Sequence, residues 1–81
     1  MQQYQQRLGG HLAEAQSQLA QFEVIAQQHF DGSLITMIDR YKENTEASII
    51  STGELIELLS LRVDYLASHL TQISQTDYLN S

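Results

Sequence analysis

Eighty-one residues carrying ten acidic and four basic side chains, a net charge of −6, and neither cysteine nor proline set narrow bounds. The length allows one small domain, and the missing cysteines remove disulfides and thiolate metal sites. The acidic balance disfavours nucleic acid and anionic lipid as partners, because both require clustered Lys and Arg.

The first element is a helix over about residues 3–30. Leu8, Leu12, Ala15, Leu19, Phe22 and Ala26 recur at alternating spacings of four and three, which places them on one narrow seam. Gly9 and Gly10 interrupt the pattern, marking either a flexible boundary or the close approach of another backbone. Asp31-Gly32 ends the helix, since Gly takes the left-handed conformation of a C-terminal cap. His29, in the last turn, is placed to meet the negative end of the helix dipole.

Ser33 is an N-cap for a second helix over about residues 34–43. Leu34, Ile38 and Tyr41 share one face, widened by Ile35 and Met37. This helix is too short to run back along the first, so it is expected to lie across the open end of the longer pair.

A third helix covers about residues 46–75. Its start is ambiguous, because Ser51-Thr52-Gly53-Glu54 also reads as a capping box. Ile49, Thr52, Ile56, Leu59, Val63, Leu66, Leu70 and Ile73 repeat the 3.5-residue spacing. Two matching seams predict an all-α fold, a long antiparallel helical hairpin resembling a coiled coil, with a short cross-helix at its tip. The antiparallel register pairs Leu8 with Leu70, Leu12 with Leu66, Ala15 with Val63, Leu19 with Leu59 and Phe22 with Ile56. It brings Tyr4 and Tyr78 to the same end, as a boundary between water and lipid favours.

On one flank of the third helix Gly53, Ser60, Ala67 and Ser74 recur every seven residues. Small side chains at this spacing either relieve crowding within the hairpin or form a groove for a second chain. With the tip residues Leu34, Ile38 and Tyr41 they are the candidate interaction residues. The expected partners are a second copy of the chain, as a dimer or larger oligomer, and a membrane protein.

Enzymatic chemistry finds no support in the residue pattern. His11 and His69 fall at one level of the predicted hairpin with Glu14 one turn away. That set lacks the further ligand and supporting shell that zinc requires, and no metal site or cofactor is assigned. Asp39, Glu54, Glu57 and Asp64 read as a solvated face. Nucleophile triads and phosphate loops are absent.

No stretch approaches the ~20 consecutive apolar residues of a spanning helix, and no secretory signal is present. Met1 fits either a native start or an excised segment. The opening segment Tyr4-Gln5-Gln6-Arg7-Leu8-Gly9-Gly10-His11 resembles a family of uncharacterised bacterial inner-membrane proteins. There a Tyr-x-Gln-Arg-Leu-Gly-Gly-His segment follows an N-terminal membrane helix. The resemblance implies that residues 1–81 are the soluble portion of a larger protein, anchored by membrane segments absent from this chain. Four basic residues are few for a cytoplasmic loop, so the periplasmic side is expected. The resulting expectation is a non-enzymatic, membrane-tethered interaction or scaffold module; the alternative is a soluble cytoplasmic coiled-coil adaptor.

Overall fold

The computed structural model describes the backbone of residues 2–80 and the side chains of residues 6–73. Three helices follow in order, α1 (Gln2–His29), α2 (Leu34–Lys42) and α3 (Ala47–Asn80), and there is no strand among the described residues. The chain is all-α. Its longest dimension, 53 Å, is close to the length of α3 alone at about 1.5 Å per residue.

The two connections are set by local hydrogen bonds. At the end of α1 both Asp31 (φ 54°) and Gly32 (φ 83°) turn left-handed, and the N–H groups of Phe30 and Gly32 donate to the Ala26 carbonyl at 2.7 and 3.0 Å. Ser33 then caps α2. Its Oγ accepts from the Thr36 N–H at 3.1 Å, satisfying a donor that the first turn leaves without a partner.

After α2 the Asn44 side-chain oxygen accepts from the Glu46 N–H at 2.9 Å, and the Glu46 carbonyl accepts from Ile49 and Ile50. Helix α3 therefore takes the earlier of its two possible starts, and Ser51 lies inside the helix rather than capping it. At the other end α3 continues to Asn80 instead of stopping near Gln75. No Gly or Pro occurs after Gly53 to interrupt it. Gly9 and Gly10 are likewise carried within α1, and a Cβ placed on either would meet nothing within 4 Å. Neither residue marks a backbone approach.

Two apolar clusters hold the helices together. One joins Leu8 and Ala15 of α1 to Leu66 of α3, flanked by Leu12, Leu59, Val63 and Leu70. The other joins Ala26 of α1, Met37 and Ile38 of α2 and Ile56 of α3, with Phe22, Phe30 and Tyr41 packed around them. Met37 and Ile56 are essentially inaccessible, and burying such a side chain contributes about 1.5–3 kcal/mol.

Helix α2 lies chiefly on α3, and Gly53 makes that approach possible. A Cβ there would stand 2.8 Å from the Tyr41 Cβ and 3.3 Å from the Lys42 backbone nitrogen. Any larger residue forces α2 away.

Candidate interaction surface

The small-residue flank of α3 does not form one open stripe. Gly53 is buried under Tyr41 and Lys42 of the same chain. Ser60 is half-buried at the bottom of a groove between α2 and α3, and Ala67 is half-buried further along. The side chains of Ser74, Tyr4 and Tyr78 lie outside the described residues. A repeat of seven identifies residues that share a face, but α2 fills the first of these positions.

The tip residues also turn inward. Ile38 is buried, while Leu34 and Tyr41 are half-buried against the same cluster. Tyr41 packs edge-on to Phe30 with ring centroids 6.4 Å apart. The Arg40 guanidinium lies over the Phe30 ring, 5.4 Å from its centroid. Met37 completes the inward stripe; Ile35, one position off it, is 74% exposed.

The exposed apolar surface lies elsewhere, on α3. Leu55, Leu58, Leu61 and Tyr65 are all more than half exposed, although they sit in the middle of a helix packed on both α1 and α2. The seam residues Ile56, Leu59, Val63 and Leu66 face inward, leaving this second set at i, i+3, i+6 and i+10 without cover. The signal was present in the sequence. The segment Leu55-Ile56-Glu57-Leu58-Leu59-Ser60-Leu61 carries more leucine than one seam of a two-helix contact can bury.

Two grooves flank this part of α3. The groove beside α1, about 350 Å³, is lined by Gln18, Phe22, Thr52, Leu55, Leu58 and Leu59, with no charged group among them. The groove beside α2, about 240 Å³, is lined by Ile35, Ile38, Ser60 and Leu61 and by Asp39, Glu57 and Asp64. Lys42 Nζ donates to Glu57 Oε1 at 3.0 Å. That hydrogen bond, reinforced by the charges of Glu57, Asp39 and Glu54, raises the Lys42 pKa above its usual 10.5.

His11 borders a small polar notch of about 90 Å³ with Glu14, Gln18 and Arg62. His69 instead stacks on Tyr65, centroids 5.9 Å apart and rings 8° from parallel. Among the described residues no three His, Asp or Glu side chains converge as metal ligands would. Nor is any helix there long and apolar enough to cross a membrane.

The profile of a family described as protein of unknown function (DUF2937) matches residues 1–80, and the chain belongs to that family. No curated protein and no solved structure matches it.

Proposed function

We propose that this member of the DUF2937 family is a non-enzymatic docking segment of a bacterial inner-membrane protein. Its α1 and α3 act as an antiparallel, coiled-coil-like hairpin. Membrane segments outside the 81 residues tether it, and it stands on the periplasmic side. The acidic composition and the resemblance of Tyr4–His11 to a segment that follows a membrane helix support the tethered, periplasmic arrangement.

One observation carries the docking role: the uncovered row Leu55, Leu58, Leu61 and Tyr65, exposed beside the seam that packs on α1. Several large apolar side chains grouped on one exposed face mark a contact surface rather than scattered surface leucines. A second copy of the chain is the occupant of the uncharged groove beside α1, where Leu55 and Leu58 of each copy bury one another. The contact surface therefore shifts from the small-residue stripe to the outer leucines.

Placement is tested with the full-length protein in spheroplasts. The chain has no native cysteine, so a single exposed replacement, S17C, reports on sidedness with a membrane-impermeant maleimide. Labelling of membrane-fraction protein without lysis is the expected result. Labelling only after lysis would overturn the periplasmic assignment, and recovery in the soluble fraction would overturn the tether.

A further inference from the structure

Three of the four carboxylates that read as a solvated face, Asp39, Glu57 and Asp64, line the groove between α2 and α3. Glu57 is paired with Lys42, the only Lys of the chain. None of the remaining basic side chains lines this groove. Arg40 lies over Phe30, Arg62 borders the notch beside His11 and Glu14, and Arg7 is an exposed residue near the start of α1. Acidic charge around this groove therefore exceeds what the chain itself supplies to balance it.

The groove is also apolar where a partner would seat. Ile35 on α2 is 74% exposed and Leu61 on α3 is 58% exposed, and both line it with Ile38 and Ser60.

We propose that this groove receives a cationic amphipathic helix of another protein, whose apolar residues seat between Ile35 and Leu61 while its Lys or Arg side chains meet Asp39 and Asp64. Charge complementarity selects that occupant. A second copy of this chain, at −6, would bring acid against acid, and like charges across an interface oppose association. Leu61 is common to this groove and to the exposed row on α3, whereas Leu55 and Leu58 line the groove beside α1, so variants at those two leucines separate this site from the contact between two copies.

The test titrates the chain with a helical Leu/Lys peptide of about 14 residues, roughly four turns, and follows backbone amides by NMR. Controls of the same length are a Leu/Glu peptide and a Ser/Lys peptide. The expected result is saturable shifts at Ile35, Asp39, Ser60, Leu61 and Asp64, with the Leu/Lys peptide alone. Affinity should fall about tenfold in the D39N/D64N double variant and change less than about twofold in L55E/L58E. Both aspartates are exposed, and circular dichroism checks that each variant keeps its helix content.

Equal binding by D39N/D64N, equal binding of either control peptide, or shifts confined to Leu55 and Leu58 would overturn the proposal. So would concentration-dependent shifts at the groove without peptide, which would give it to a second copy. Loss of peptide binding in L55E/L58E alone would likewise move the site to the other surface.

Discussion

The two grooves beside α3 differ in charge although one helix forms a wall of each. Next to α1 the lining is Phe22, Leu55, Leu58 and Leu59 with uncharged Gln18 and Thr52; next to α2 it includes three carboxylates. The cause is the neighbouring helix and the flank of α3 that it leaves open. Along α1 the polar positions are largely Gln, which adds polarity without charge, whereas α2 contributes Asp39 and its side of α3 contributes Glu57 and Asp64. One helix can thus present a surface suited to its own copy and another suited to a basic partner.

Breaking the wall common to both grooves should have the largest effect. Ile56 lines the α1 groove and belongs to the cluster that seats α2. Ile56→Ala should cost about 2–5 kcal/mol in urea unfolding, a large part of the stability available to a chain this small. Both surfaces should loosen together, seen as faster amide exchange along α2 and around Leu55.

Gly53→Leu separates the two regions. The added side chain runs into Tyr41, so overpacking of about 1–3 kcal/mol is expected, with α2 displaced and the acidic groove altered. Amide shifts in residues 34–42 should be large, while those around Leu12 and Val63 stay small. Shifts of equal size in both places would mean that the clusters are not separable.

Ser33→Ala removes the cap of α2 and should cost about 1 kcal/mol, again sparing the α1 side. Lys42→Ala is the mildest change, acting on an exposed ion pair. The raised Lys42 pKa means that the pair's stabilising contribution is present below the unfolded value near 10.5. It is lost as pH rises through the folded value. Wild type and K42A should therefore converge in thermal midpoint above that range, which a pH series of melting curves checks.

The local parts of this architecture were legible because their causes are local. Ser33 caps α2 and Asp31-Gly32 closes α1 within a few residues of the positions they specify. The start of α3 was ambiguous between a position near Glu46 and the Ser51 capping box, and the helix begins at Ala47, with the Asn44 side chain accepting from the Glu46 N–H. The orientation of α2 was less legible. Leu34, Ile35, Met37 and Ile38 are all apolar, and it is the packing of Met37 and Ile38 with Ala26 and Ile56 that leaves Ile35 out.

The candidate surface was read least well for the same reason. A heptad of small residues fixes which positions share a flank, but it carries no information on whether α2 or another molecule lies over them. Gly53 seats Tyr41 of the same chain, while Leu55, Leu58 and Leu61 remain exposed.

As proposed, the outer leucines of α3 join two copies of the chain. Light scattering coupled to size exclusion, run on the wild-type chain and L55E/L58E, is the decisive experiment. A mass above that of one chain is expected for the wild type, and a monomer of unchanged helix content for the variant. A monomeric wild type, or the same mass for both, would rule out the leucine contact.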